Sequence, residues 1–456
     1  MRSLAVVVVV VLGWILQAGG AAALCAGDCD ADGTVAVAEV VTTINAALGS
    51  TPVSSCPAGD VDGDGAVSVA ETILAVQSAL NGCLADTRCP VTRVASSNGI
   101  AALAGPGLSV AASGDFDVIT AGTELIDGAP ARAAGSVVIH RYTADGGLQN
   151  EVELASPTQV VVAPRLASLS DGGGAVAWAE ADPRAFGSPI SRLLVRRYGS
   201  RGTPLGNVIT LAKAQPRHQL SLATVTSDGS NNALFSWMDR EQTAQGGTAF
   251  RGALRQQRPK GLDATRPVGC FGDPVAVPLG DALGVVCVAF DIDPMQVVLR
   301  AFTLDGTEVT PRFDFRTAGP YGAISAAANS QRVAVAWHQP LDTPVRTSRV
   351  LAQVATLDGT PIVGPLEVAT VVDTQIPPAI ALLRDGSFAV AYGESPLQVS
   401  RFAADGTPLG DAVIVDNTRV DELALGADTN GDLVVAWRWR DIFALRIPAL
   451  GSAACE

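Results

Sequence analysis

The hydrophobic and polar positions of this chain follow two unlike patterns. From about residue 90 onward, short apolar runs alternate with turn residues. One run ends in an aromatic and follows a turn: SDGGGAVAW at Trp178, SDGSNNALFSW at Trp237, GDALGVVCVAF at Phe290, NSQRVAVAW at Trp337, RDGSFAVAY at Tyr392 and TNGDLVVAW at Trp437. SGDFDVITA around Phe116 is a weaker first copy. Between these runs lie strand-turn-strand units, RYTADGGL, RRYGSRGTPLG, RAFTLDGTEV, VATLDGTPIVG and RFAADGTPLG, with LRQQRPKGLD as a degenerate member. Asp-Gly between alternating apolar residues is a hairpin signal. Repetition at roughly 45 to 60 residues calls for a repeat architecture. Each unit reads as four short strands, one blade of a β-propeller.

Counting the aromatic-ended run predicts seven blades, with six or eight as alternative counts. The last unit is short: after Trp437 only DIFALRIPAL follows. The missing strand is predicted to be PVTRVASS at 90–97, which would close the ring. A disulfide between Cys89 and Cys455 would staple that closure, and Cys270 and Cys287 are expected to pair across neighbouring strands of the fourth blade.

The front of the chain differs. GDCDADGTVAVAE begins at residue 27, and GDVDGDGAVSVAE repeats it thirty-two residues later. Aligned to a twelve-position loop, Asp28, Asp30 and Asp32 take positions 1, 3 and 5, Gly33 position 6, Thr34 position 7 and Glu39 position 12. The second copy places Asp60, Asp62, Asp64, Gly65, Ala66 and Glu71 alike. A hard cation takes six to eight oxygens, and this spacing supplies three carboxylates, a backbone carbonyl at position 7 and a bidentate glutamate. Glycine at position 6 allows the sharp turn. Two calcium ions are therefore expected. The plainer alternative, a pair of acidic Asp-Gly turns, does not account for glutamate at position 12 in both copies.

After each loop comes a helical pattern, Val37, Val41, Ile44, Leu48 and then Val69, Ile73, Val76, Leu80, predicting one apolar face per helix. Glycines near their ends, Gly49 and Gly82, suit helix termination. No helix fits before either loop, because Cys25 to Gly27 is too short and the second approach contains Pro52 and Pro57. This loop-helix duplication resembles the dockerin domain of cellulosome-type systems over residues 25–83. The resemblance implies calcium binding and docking to a cohesin-like or other extracellular protein. In dockerins the partner is read around loop positions 10 and 11, here Val37-Ala38 and Val69-Ala70. The Ser-Thr pair of many type I dockerins is missing and the cysteines are additional, so the resemblance carries over calcium and fold further than cohesin binding. A calcium-stiffened spacer is the competing reading. The later repeats resemble units of bacterial extracellular and adhesin-like proteins.

Composition adds the compartment. MRSLAVVVVVVLGWILQAGGAAA has a positive start, an apolar run and a small-residue end, the layout of a secretory signal peptide over residues 1–23. The expected division is thus signal peptide 1–23, calcium-binding domain 24–83, linker 84–89 and propeller 90–456. The protein is expected to be secreted, at the cell exterior or in the periplasm, with no span after cleavage. Eight cysteines suit an oxidising compartment, and disulfides among Cys25, Cys29, Cys56 and Cys83 would brace the helices. The net charge of −14 excludes nucleic acid as a partner, and residues 24–90 hold nine carboxylates against one arginine.

Catalytic motifs are missing: the sequence has no HExxH, no GxSxG elbow and no Walker loop. His140, His218 and His338 are scattered and read as packed or surface residues. The periodic Trp and Tyr positions read as inter-blade core, whereas Trp439 breaks the period and is a candidate ligand contact. The expected role is a binding module for protein or glycan, and a propeller carbohydrate-active enzyme is the alternative. For that alternative the candidate carboxylates are Asp115, Asp117, Asp239, Asp291 and Asp293, near strand ends.

Overall fold

The computed structural model describes residues 26–30, 34–60, 65–81, 91–96, 102–125, 133–157, 159–181, 190–229, 231–243, 248–259, 261–279, 282–289, 296–303, 307–315, 324–341, 347–372 and 376–449. The signal-peptide stretch, the linker at 84–89, and Cys25, Cys83, Cys89 and Cys455 lie outside them. The chain divides into two compact units, Met1–Thr87 and Arg88–Glu456.

In the first unit, helix α1 spans Val37–Ala47 and helix α2 spans Val69–Asn81. Helix α1 ends in a Schellman motif: Ser50 N–H donates to the Asn45 carbonyl at 2.8 Å and Gly49 N–H to that of Ala46 at 3.0 Å. Gly49 has φ +70°, which glycine adopts at little cost. Two short 3₁₀ turns, Val53–Ser55 and Pro57–Gly59, lead into the second loop where an incoming helix would otherwise stand.

The duplication explains how the pair packs. A Cβ on Gly27 would lie 2.5 Å from Ala75 Cβ, and one on Gly59 would lie 3.1 Å from Thr43 Cγ2. These contacts match under the thirty-two-residue repeat: the glycine before each loop abuts the same position of the other copy's helix. Among the described side chains, the buried helix positions are Thr43 and Ala46 in α1 and Glu71 and Ala75 in α2. This corrects the expected apolar face. Val37 is 78% exposed and Val69 76%, and Val41, Leu48 and Ile73 are also exposed. The glutamate of each copy must turn toward its loop, and only small residues one and two turns later allow the other copy so close. Those five bulky residues are left outward, Ile44 and Val76 of the same stripe are half-buried, and the Leu80 side chain lies outside the described residues.

The second unit is a seven-bladed β-propeller. Seven antiparallel sheets of four or five strands follow one another along the chain. The closing strand is as expected: Thr92–Ala95 pairs with Asp441–Ile447 and completes the last blade from its outer edge. The degenerate unit forms the third blade, whose outer edge is split into Gly261–Leu262 and Arg266–Val268, both on Thr248–Arg258. Cys270 and Cys287 are bonded within the fourth blade (S–S 1.97 Å).

The second strand of each blade is sandwiched between neighbouring blades, so it reads as a continuous apolar run. Gly174–Ala181 is buried at every position. Trp178, Trp237, Trp337, Tyr392 and Trp437 are all buried in clusters that span two blades, as expected of inter-blade core. The Asp-Gly turns share one geometry. At 143–147, 356–360 and 403–407 the first N–H reaches the fifth carbonyl and the fourth N–H returns to the first, at 2.8–2.9 Å. This is a type I turn closed by a glycine bulge, which matches strand twist. The turn carboxylate locks it: Thr143 hydroxyl donates to Asp145, Thr356 hydroxyl to Asp358 and Thr407 N–H to Asp405. Those hydrogen bonds hold all three carboxyls below the usual range.

Candidate functional site

The first acidic loop brings carboxylates together. One oxygen from each of Asp28, Asp30 and Glu39 falls within 4.8 Å of the others, the sole such group of potential metal ligands among the described residues. Asp28 is buried and Asp30 exposed. Glu39 Oε1 accepts the N–H groups of Cys29 at 2.7 Å and Asp30 at 3.2 Å, and Oε2 accepts that of Ala36 at 2.8 Å. The position-12 carboxylate is thus aimed at positions 1 and 3 by backbone N–H groups. Asp32 lies outside the described residues, and Thr34 is exposed.

In the second loop Asp60 Oδ2 accepts the Gly65 N–H at 2.9 Å, drawing position 1 to position 6. Ser68 N–H donates to Glu71 Oε2 at 2.7 Å, and Glu71 N–H donates to Ser68 Oγ at 3.2 Å. That reciprocal pair is a capping box. It gives Glu71 a structural role beside the metal one, and Ser68-Val69-Ala70-Glu71 carries its signature in the sequence. The first loop keeps only half, because Ala36 has no side-chain acceptor. Asp62 and Asp64 lie outside the described residues, and Ala66 is exposed. The donor set, all hard oxygen, fits a calcium-like ion rather than a soft metal.

In the propeller a cavity of about 900 Å³ opens at one end of the central channel. The inner strands of all seven blades line it, through Ser109, Ser168, Thr226, Ala276, Ala327, Ala381 and Gly426 among others. Among the described residues the lining is mostly small and carries no aromatic. Its charged side chains among the described residues are Asp115, Asp117, Arg141 and Asp228. Asp115 and Asp117 do converge, both on the first blade at this mouth. Asp239 sits toward the far end of its own strand and bonds His218 Nδ1 at 2.8 Å, while Asp291 and Asp293 lie outside the described residues.

Asp117 is built into the wall. Its Oδ1 accepts Arg141 Nε–H at 2.8 Å and its Oδ2 the Tyr198 hydroxyl at 3.0 Å, linking blades one and two. Burial pushes its carboxyl up, against the pull of Arg141. Burial also pushes the Tyr198 phenol well above its ordinary value, with the Asp117 charge adding to the shift. Tyr198 is only 1% exposed, so it supplies no nucleophile to the channel. Sequence reasoning missed Arg141 and Tyr198, because nothing local marks residues that meet across blades.

The histidines are packed, as expected. His140 Nε2 meets Thr120 Oγ1 at 3.0 Å, and burial lowers its pKa more than nearby Glu151 raises it. His338 is buried between blades five and six, and desolvation pushes it down to about 4. Its ordinary value is 6.5, so the unfolded chain binds the additional proton between pH 6.5 and about 4. The His338 contribution to stability should therefore be flat above pH 6.5 and fall as pH drops through that window, by about 3 kcal/mol at pH 4. Urea unfolding of wild type and His338→Leu at pH 7 and pH 4 checks this: the variant should lose that much less. Equal losses would exclude His338 as a cause. Trp439 is half-buried at a strand end, with the Arg440 guanidinium 5.7 Å from its ring centre.

No protein-family model matches the chain, and no curated protein does. Solved structures match the propeller loosely. A Hadza microbial sialidase is 13% identical, with 77% of this chain covered, 67% of that one and a TM-score of 0.45. A puromycin hydrolase is 15% identical, with 73% and 50% covered and a TM-score of 0.43. The Pyrococcus horikoshii acylaminoacyl peptidase is 11% identical, with 75% and 49% covered and a TM-score of 0.44. The chain spans about half the length of the last two and two thirds of the sialidase. At these identities and scores none of them bears on chemistry.

Proposed function

We propose that the chain is a secreted calcium-binding docking protein with a dockerin-like first unit and a propeller that binds protein or glycan. The observation that carries the calcium reading is the convergence of Asp28, Asp30 and Glu39 within 4.8 Å, with Glu39 held there by three backbone N–H groups. Asp28, Asp30, Asp32, the Thr34 carbonyl and Glu39 would hold one ion. Asp60, Asp62, Asp64, the Ala66 carbonyl and Glu71 would hold the second. Calcium supplies cross-linking of each loop to the helix that follows it. The exposed stripe of Val37, Val41 and Leu48, repeated as Val69 and Ile73, supports an extracellular protein as partner of this unit.

Calorimetric titration of the full chain with CaCl₂ should reveal two sites, and a flat titration would overturn the reading. Capture of exported proteins by the immobilised chain, with calcium and with chelator, then tests docking. Capture indifferent to calcium would leave the unit as a spacer.

A propeller carbohydrate-active enzyme docked through its first unit is the second reading. The observation favouring it is the half-buried Asp115 beside buried Asp117 at the channel mouth. Polysaccharide-degrading activity abolished by Asp115→Asn would place this reading ahead of the first.

A further inference from the structure

We infer that the Cys29–Cys56 disulfide is the positioning element of the first acidic loop, which holds a divalent cation tightly only while that bond is formed. The inference rests on the calcium reading above.

Cys29 is position 2 of the loop, between Asp28 and Asp30, and it is bonded to Cys56 just before the second loop. The bond closes a covalent ring around Glu39 and the whole of α1. The Cys29 backbone N–H donates to Glu39 Oε1 at 2.7 Å, the shortest of the three bonds that aim this carboxylate. The Cys56 end of the bond is close-packed and Cys29 is half-buried. Cys56 is fully buried and its Sγ is 3.5 Å from Thr43 Oγ1, while Gly27 N–H donates to the Ala58 carbonyl at 2.9 Å. The bond therefore fixes the strip from Gly27 to Asp30 onto the approach to the second loop.

Three carboxylates gathered within 4.8 Å repel one another when no cation is present. A covalent tie beside them holds the arrangement against that repulsion and removes the entropy of gathering it. The second loop holds no cysteine; Asp60 is drawn in by Gly65 N–H instead. The two loops thus differ in what positions them, and only the first depends on oxidation. A dithiol reductant would break the tie: its thiolate attacks one cysteine sulfur, and its second thiol releases the mixed disulfide. Two electrons and two protons pass to Cys29 and Cys56 as thiols, and the reductant leaves as a cyclic disulfide.

The test is calorimetric titration of the full chain with CaCl₂, with bound ions counted by native mass spectrometry. It compares wild type with the Cys29→Ser/Cys56→Ser variant. Wild type should bind two ions tightly. In the variant one site should weaken by about 10- to 100-fold, the range for lost positioning partners around a metal. Adding Glu71→Ala to the variant should remove its remaining tight site, whereas adding Glu39→Ala should leave that site unchanged. Helical circular dichroism and recovery of the second ion at millimolar calcium show that the variant is folded. Two unchanged sites in the variant would overturn the inference and leave the calcium reading intact. Loss of both sites together would overturn it too, since selectivity for the first loop is its content. A wild-type chain that binds no calcium would overturn both readings.

Discussion

Calcium binding is expected to vanish when Glu39→Ala and Glu71→Ala are combined, and to drop to one ion with either alone. Each glutamate occupies the loop position that supplies two oxygens, so its loss removes roughly a quarter to a third of a six- to eight-oxygen shell. The structure adds a complication that the spacing alone does not reveal. Glu71 also completes the Ser68 capping box, and Glu39 accepts the N–H that opens α1. Alanine therefore removes a cap as well as a ligand, at about 1 kcal/mol per helix. Glu71→Gln separates the two roles, because its amide oxygen still accepts the Ser68 N–H but carries no charge. Calorimetry should show the second site lost in Glu71→Gln while helical circular dichroism stays close to wild type. Retention of two sites in the Glu39→Ala/Glu71→Ala chain would show that these positions cap helices and nothing more.

The propeller was legible because its signals are local and repeated. An Asp-Gly turn needs only five residues to define itself, and a sandwiched strand announces itself as an unbroken apolar run. Ring closure was legible by subtraction, since the last unit lacked a strand that residues 92–95 supply. The helix faces of the first unit were not. Periodicity finds a stripe but does not say which stripe faces inward when the inner one is small and polar. Thr43 and Ala75 score poorly as core, yet they are where the other copy's glycine must fit. The Asp117–Arg141–Tyr198 network was likewise invisible, because its members stand on three strands of two blades and obey no spacing rule. The cysteines were intermediate: their number suggested pairing, but only the fold selects Cys56 for Cys29.

Trp437→Ala is expected to cost the propeller about 3–5 kcal/mol, the range for removing a buried large aromatic. Trp437 is 1% exposed and packs in the cluster joining blades six and seven. It stacks on Phe443 at 5.6 Å between ring centres. Its indole N–H donates to Asp416 Oδ2 at 2.7 Å, reaching from the last blade to the outer strand of the one before. Alanine leaves a cavity at that seam and takes a donor from the carboxylate, which is the costlier way to break a buried bond. Trp437→Phe should cost less, because it keeps most of the packing and loses only the donor. Trp439→Ala, at a half-buried strand end two residues on, should stay within about 1 kcal/mol. The last blade already depends on a strand borrowed from residues 92–95, so weakening its seam should open the ring there first. Urea midpoints for the three variants give the ordering, and hydrogen exchange in Glu422–Ala427 and Asp441–Ile447 locates the opening. A Trp437→Ala midpoint within 1 kcal/mol of wild type, or exchange that rises first in another blade, would show that this aromatic seam does not hold the ring closed.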